Sequence, residues 1–158
     1  MLGVGNVGEI GCATARWALW PLVLASLSAC VTVRSGEAPL TLEKGHVFVQ
    51  ARLEGQGPFV FVLDTGSEAT IVSSEVAAKL GLSGGDRAVI SAVGGSRITR
   101  SDSVRNVEVG TARMSALSVL IGASNAGSNV DGILGCSFFK AFRVTIDYAR
   151  LLVTFTAP

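Results

Sequence analysis

The chain has 158 residues, of which 49% are hydrophobic, and its 13 basic side chains nearly balance its 12 acidic ones. A formal charge of +1 provides neither the basic surface that nucleic-acid binding requires nor an acidic tail, so we expect no nucleic-acid partner. The length is enough for one domain and too short for two.

The N-terminal segment is typical of an export signal. Arg16 precedes an apolar stretch, residues 17–29, that is shorter than the roughly twenty residues a lasting transmembrane helix needs. The stretch ends at Leu27-Ser28-Ala29-Cys30, which resembles the lipobox of bacterial lipoproteins, where the cysteine is lipidated and becomes the first mature residue. The alternative is an ordinary signal peptide with a chance cysteine near its cleavage site. We therefore expect residues 1–29 to be a lipoprotein signal peptide and Cys30 to carry lipid.

The lipobox resemblance also indicates a location. Val31 follows the cysteine, whereas lipoproteins kept at the inner membrane commonly have aspartate there. The resemblance implies a lipoprotein in the cell envelope of a Gram-negative bacterium, on the periplasmic face and in the outer membrane. Residues 30–39 are mostly polar or small and predict a short tether to a domain that begins at Leu40.

From Leu40 onward the sequence predicts β-strands. Apolar residues alternate over residues 47–53, a turn follows at residues 55–58, and the apolar run Phe59–Leu63 predicts the next strand. Thr70–Val72 predicts a further strand. Residues 73–80 then predict a short helix with Ser73 as its cap and Gly81 at its end.

The strand predicted at residues 59–63 ends in Asp64-Thr65-Gly66-Ser67. This places one carboxylate at the edge of an apolar core, where desolvation and neighbouring charge can adapt it to acid–base chemistry. Gly66 allows a sharp turn that brings its amide to the carboxylate, and the Thr65 and Ser67 hydroxyls can form hydrogen bonds around it. The ordinary alternative is a turn aspartate that only caps the end of a strand.

The second half of the chain predicts more strands and a hairpin. Two extended runs, residues 88–93 and 96–99, flank Gly94-Gly95, which is a tight-hairpin signal. Residues 104–109 and 112–121 predict two further strands joined by Gly110-Thr111. A small polar loop, residues 124–129, precedes Asp131.

A second motif follows about seventy residues after the first. The segment Asp131-Gly132-Ile133-Leu134-Gly135 contains two apolar residues followed by glycine, and a phenylalanine-rich segment comes after it. Together with Asp64-Thr65-Gly66, this pattern resembles the retropepsin-like aspartic proteases, particularly their bacterial envelope members. Residues 142–148 and 151–155 are similar to the closing strands of that family. The resemblance covers roughly residues 40 to 155.

The resemblance implies an all-β domain at residues 40–158. It would be a retropepsin-like closed barrel or sandwich with a flap hairpin and one or two short helices. Asp64, Thr65 and Gly66 would be catalytic. Ser67, with Gly94 and Gly95 of the flap, would contact the substrate, although a plain surface hairpin remains the alternative to a flap.

A single Asp-Thr-Gly motif has a consequence for assembly. Asp131 is followed by Gly132-Ile133 rather than by Thr-Gly or Ser-Gly, so we expect a turn residue there and not a second catalytic acid. Two carboxylates would then come from a homodimer, with Asp64 of each subunit activating a water that hydrolyses a peptide bond. The expected activity is that of an aspartic endopeptidase acting on a peptide or protein substrate. The alternative is a catalytically silent lipoprotein that uses the fold for peptide binding or assembly.

Other chemistries have little support in the sequence. His46 is the sole histidine and no Cys-x-x-Cys pair is present, so we expect no metal, and no cofactor is expected either. A Ser/His/Asp triad would have to use that one histidine without a nucleophile elbow. Cys136 is expected to be a small buried side chain rather than a nucleophile, because no histidine lies near it in the sequence.

Overall fold

Strands predominate in the part of the chain that the computed structural model describes, residues 31–92, 95–122 and 129–158. Its helices are α1 (Ser74–Leu80) and α2 (Cys136–Phe139). The strands in chain order are β1 (Val33–Arg34), β2 (Gly36–Glu43), β3 (His46–Leu53), β4 (Gln56–Leu63), β5 (Thr70–Val72), β6 (Asp86–Ala92), β7 (Gly95–Val109), β8 (Ala112–Ile121), β9 (Gly132–Leu134), β10 (Arg143–Asp147) and β11 (Leu152–Thr156). The predicted signal peptide and Cys30 lie outside the described residues.

Six of these strands close into a barrel. β3 pairs with β4, β4 with β9, β9 with β5, β5 with β8, β8 with β7, and β7 returns to β3. β3 has two partners along one edge because residues 46–49 pair with β2 and residues 51–53 pair with β7. Beyond the ring, β2, β11 and β10 extend the sheet from β3, and β6 extends it from β7. This is the closed all-β architecture that the sequence predicts.

The longest strand differs from its prediction. β7 runs without interruption over residues 95–109, where the sequence predicts two shorter strands separated by a polar link. The link, residues 100–103, stays extended because β8 pairs along all of it and β6 pairs with its first two residues. Hydrogen bonds to two neighbouring strands compensate for the low strand propensity of the polar residues.

The helix α1 begins and ends as predicted. The Ser73 hydroxyl accepts a hydrogen bond from the Val76 N–H, and Gly81 adopts the left-handed conformation with φ of 70°. Both devices satisfy backbone groups that the helix ends would otherwise leave without partners. Val76 and Ala77 are buried and belong to the hydrophobic core, so α1 packs against it.

The segment that the sequence assigns to a tether lies within the sheet. Val33 pairs with Met114 through β1, and Gly36 begins β2. A Cβ atom on Gly36 would lie 2.1 Å from the Ala112 nitrogen, and Ala38 is 1% exposed. The small residues of this segment therefore permit close packing rather than flexibility.

Aromatic side chains from α2 and β11 fill the core beside the barrel. The Phe138 ring lies 5.0 Å from the Phe142 ring and 5.5 Å from the Phe155 ring, measured between centroids. Phe138 and Phe155 are fully buried. This cluster joins α2, and with it the end of β9, to the C-terminal hairpin of β10 and β11.

Within the described residues, no helix has the length and apolar character that crossing a membrane requires.

Candidate active site

Asp64 follows the last residue of β4 and is held there by the neighbouring strand. β4 and β9 run parallel, with Leu63 beside Leu134, and the Asp64 N–H donates to the Leu134 carbonyl oxygen at 3.1 Å. Phe61 and Val62 are buried, whereas Asp64 is partly exposed. The Asp64 side chain therefore lies at the edge of the core, in a position that β4 and β9 hold.

Gly66 supports the carboxylate directly. Its N–H donates to the Asp64 Oδ1 at 2.9 Å, and a Cβ atom at this position would lie only 3.2 Å from that oxygen. Because the backbone of Gly66 is not in the left-handed region, the position needs glycine for space rather than for its φ angle. Any side chain at Gly66 would crowd the oxygen that the amide stabilises.

The two hydroxyl residues of the motif have different surroundings. The hydroxyl of Ser67, a predicted substrate contact, donates to the Ala69 carbonyl oxygen at 2.8 Å within the loop. Thr65 is exposed and forms no hydrogen bond with any described residue. Thr65 is therefore the motif hydroxyl that is available to an external group.

The apolar-apolar-Gly segment packs directly under the Asp64 loop. The Cys136 N–H donates to the Ser67 carbonyl oxygen at 2.7 Å, and the Ser137 N–H donates to the Glu68 carbonyl oxygen at 3.0 Å. A Cβ atom on Gly135 would lie 2.2 Å from the Ala69 carbonyl oxygen. The motif requires glycine here because the backbone of the loop occupies the space of a side chain.

Sequence reasoning did not identify two hydroxyl residues next to this contact. Thr70 is 1% exposed, and its Oγ1 accepts hydrogen bonds from the Gly135 N–H at 3.2 Å and from the Ser137 hydroxyl at 2.9 Å. The Thr70 N–H donates back to the Ser137 Oγ at 2.9 Å. The only sequence signal was a polar residue at the start of an otherwise apolar strand.

Asp131 occupies the opposite end of the pairing between β4 and β9. Its Oδ2 accepts the Val60 N–H at 2.8 Å, and its own N–H donates to the Val60 carbonyl oxygen at 2.8 Å. The Asp131 carbonyl oxygen also accepts the N–H of Ser73 at 2.8 Å. The carboxylate is hydrogen-bonded to the backbone of Val60. This agrees with the expectation that Asp131 has a structural role and is not a second catalytic acid.

The predicted flap corresponds to the hairpin of β6 and β7. The two strands pair from Asp86 opposite Ser101 to Ala92 opposite Gly95. Gly94 lies outside the described residues, and Gly95 is the first residue of β7. Val89 and Ile98 pair across the hairpin and are 63% and 68% exposed, respectively, so the hairpin projects from the barrel.

A carboxylate holds the base of this hairpin. Asp102 accepts hydrogen bonds from the Ser103 N–H at 2.8 Å and from the Gly84 N–H at 3.0 Å. The bonds from the backbone of Ser103, Gly84 and Ser83 hold the pKa of Asp102 below its ordinary value of 3.8, against a smaller opposing effect of burial. The loop that precedes β6 is thereby tied to β7.

Two further sequence predictions can be compared with the structure. Cys136 is exposed, so the prediction of a buried side chain is wrong; Phe138 and Phe139 face the core from α2 instead. His46 is exposed at the start of β3. The described residues contain no group of three or more His, Cys, Asp or Glu side chains that could hold a metal ion.

Comparison with known proteins identifies the family. A family model for aspartyl proteases matches residues 49–138, which is more than half of the chain and includes both the Asp64 loop and Gly135. The chain belongs to the aspartyl protease family. No curated protein matches the sequence significantly.

The fold of this aspartyl protease family member resembles that of a solved relative. A retropepsin-like aspartic protease from Rickettsia conorii, known from its crystal structure, superposes with a TM-score of 0.59 at 20% sequence identity. The match covers 80% of this chain and 94% of the other. The predicted all-β retropepsin-like fold is thus confirmed.

Proposed function

We propose that this aspartyl protease family member is an endopeptidase whose active site is completed by a second copy of the chain. One observation carries the proposal: the Asp64 carboxylate lies at the end of β4 with its Oδ1 bonded to the Gly66 N–H, in the only Asp-Thr-Gly triplet of the sequence. A single chain supplies one such carboxylate. Two-fold assembly would place the Asp64 of each subunit at the axis.

The paired carboxylates would perform acid–base catalysis on a water molecule. Because two carboxylates about 3 Å apart do not both ionise readily, they share one proton. The ionised carboxylate removes a proton from water as the water oxygen attacks the scissile carbonyl carbon, and the protonated carboxyl gives its proton to the carbonyl oxygen. The resulting diol collapses when its hydroxyl proton returns to a carboxylate and the amide nitrogen accepts a proton and leaves.

The surroundings of Asp64 support the shared site. Thr65 and Gly66 are exposed in the single chain, and the Thr65 hydroxyl has no partner among the described residues. A second subunit would cover this surface and could accept the Thr65 hydrogen bond. Substrate would lie extended between this surface and the hairpin of β6 and β7, pairing its backbone as an added strand.

The location of the enzyme is part of the proposal. The lipobox at Cys30 supports a lipid-anchored protein on the periplasmic side of the outer membrane, after removal of residues 1–29. The substrate would then be a peptide or protein of the cell envelope.

The proposal is tested by replacing the carboxylate with an amide of the same shape. We expect Asp64→Asn to abolish cleavage of a casein or peptide-library substrate, because an amide can neither accept nor supply the shared proton. Wild-type turnover should follow a bell-shaped curve on the acidic side of neutral pH. The free energy of unfolding should remain or increase, because the amide keeps the shape of the side chain and removes the negative charge that the pair holds at the axis.

Asp131→Asn is the matched control, since it changes a carboxylate that is bound to the backbone of Val60. It should reduce stability and leave the shape of the pH profile unchanged. Retained turnover in purified Asp64→Asn protein would contradict the assignment. Binding of peptides by the wild type without any cleavage would favour the non-catalytic alternative.

A further inference from the structure

The buried hydroxyl of Thr70 connects the catalytic loop to the segment below it. Thr70 directly follows the loop of residues 64–69, and it is the only buried polar residue in the described part of the chain. Two hydrogen bonds join Thr70 to the Ser137 side chain: the Ser137 hydroxyl donates to Thr70 Oγ1 at 2.9 Å, and the backbone N–H of Thr70 donates to Ser137 Oγ at 2.9 Å. We call this pair the clasp.

The clasp is one of three attachments between the loop and the segment from β9 to α2. At the start of the loop, the Asp64 N–H donates to the Leu134 carbonyl oxygen. In the middle, the Ser67 and Glu68 carbonyl oxygens accept backbone N–H groups. At the end, the clasp adds hydrogen bonds to a buried hydroxyl, that of Thr70, from the half-buried Ser137, and a buried polar group that loses its partner is costly.

We propose that Thr70 and Ser137 are positioning residues that fix the orientation of the Asp64 carboxylate. The inference rests on the proposed function and extends it, because neither side chain belongs to the Asp-Thr-Gly motif. Two carboxylates that share a proton must be held closely, and a misplacement of about 1 Å can reduce a rate roughly 100-fold. The clasp joins the end of the six-residue loop to the segment from β9 to α2, in addition to the pairing of Thr70 with Val119 of β8.

Two substitutions at one position separate the hydroxyl from the shape of the side chain. Thr70→Val keeps the shape and removes the hydroxyl, whereas Thr70→Ser keeps the hydroxyl. We expect Thr70→Val to lower kcat by about tenfold or more while KM changes by less than about twofold, and Thr70→Ser to restore most of kcat. A purely structural role would lower the yield or the melting temperature without this separation of kcat from KM.

Ser137→Ala removes the other half of the clasp. Because both variants remove the hydrogen bond between the two hydroxyls, the double variant Thr70→Val with Ser137→Ala should be slowed by less than the product of the two single effects. Ser118→Ala, at an exposed serine of β8, is the control and should behave as the wild type. Unchanged kcat in both single variants would overturn the proposal.

Amide hydrogen exchange tests the clasp without requiring turnover. In Thr70→Val, the peptide that contains Gly66 and Ser67 should exchange at least about tenfold faster than in the wild type, while peptides from β3 and α1 keep their protection. Unchanged exchange in the loop would contradict the proposal even if the enzyme is active. If Asp64→Asn retains activity, the proposed function fails, yet this exchange measurement still decides whether the clasp orders the loop.

Discussion

At the scale of single residues, glycines give the site its shape by making room. Neither Gly66 nor Gly135 adopts a left-handed conformation, and in both cases a Cβ atom would meet an oxygen of the Asp64 loop, at 3.2 Å and 2.2 Å respectively. The contact at Gly135 is with a backbone carbonyl, which cannot rotate away as a side chain could. The glycine of the second motif therefore allows the loop to pack closely against the end of β9, and it contributes no chemical group to the site.

Gly135→Ala tests this close packing. We expect a loss of at least about 2 kcal/mol in the free energy of unfolding, measured by urea denaturation, because the added methyl must displace the Ala69 carbonyl. Gly85→Ala is the control, since a Cβ atom there has no neighbour within 4 Å. Equal stability of the two variants would show that the loop can move away freely.

The carboxylate at the base of the hairpin predicts a dependence of stability on pH. Bonds from backbone N–H groups lower the pKa of Asp102 in the folded state, so its ionised form favours folding. That contribution is fully present above the unfolded pKa, near 3.8, and is lost as the pH falls through the lower folded pKa. The difference in unfolding free energy between the wild type and Asp102→Asn should accordingly shrink on acidification below that value.

Asp86→Asn provides the comparison for Asp102. Asp86 is exposed on β6 and accepts no backbone hydrogen bond from a described residue. Its substitution should leave the curve of stability against pH nearly unchanged. If the difference in unfolding free energy between the wild type and Asp102→Asn is the same at pH 2.5 and at pH 6, ionisation of Asp102 does not contribute to stability.

At the scale of elements, local signals were sufficient where one residue decides the conformation. Ser73 and Gly81 set the two ends of α1, and the Asp-Thr-Gly-Ser tetrapeptide marks the end of β4. Alternating apolar residues identify β3, although they do not reveal that its second half turns to pair with β7. That pairing closes the barrel, and it depends on contacts between residues more than fifty positions apart.

The predictions that differ from the structure depend on contacts that have no local signal. Residues 30–39 resemble a tether because they are small and polar, yet Gly36 lies closely against Ala112, and Ala38 is buried against Gly110. Cys136 resembles a core residue by composition, but α2 presents Phe138 and Phe139 to the core instead. The clasp was missed because threonine and serine are ordinary surface residues, and only the fold buries Thr70 and brings Ser137 beside it.

At the scale of the whole molecule, a shared site makes the subunits interdependent. When equal amounts of wild-type and Asp64→Asn chains exchange freely, half of the wild-type chains pair with an inactive partner, so activity per wild-type chain should fall to about half. Specific activity should also fall on dilution, in parallel with dissociation measured by sedimentation. A monomer with constant specific activity, unaffected by the variant, would exclude a site built from two chains.

The predicted lipid anchor can be tested on the intact chain. Cys30→Ser should remain unprocessed or appear in the soluble fraction, because the residue that would carry lipid is absent. Wild-type protein should instead partition into detergent and lie in the outer-membrane fraction. If both proteins fractionate and migrate alike on a gel, the lipobox is a coincidence of sequence.

The early start of β-pairing has a consequence for how such an anchored enzyme would find its partner. Hydrogen bonds of 2.8 to 3.4 Å join the backbone and hydroxyl of Thr32 to those of Ser115, and β1 begins at the next residue. If Cys30 is lipidated, only two residues connect the lipid to the first hydrogen-bonded residue, and they span about 7 Å at most. The barrel would rest on the bilayer with little freedom to tumble, and copies would meet by sliding in one plane with the same side facing the lipid. Such confinement raises the effective concentration of each copy for the other, so a dimer too weak to persist in solution could still form on the membrane.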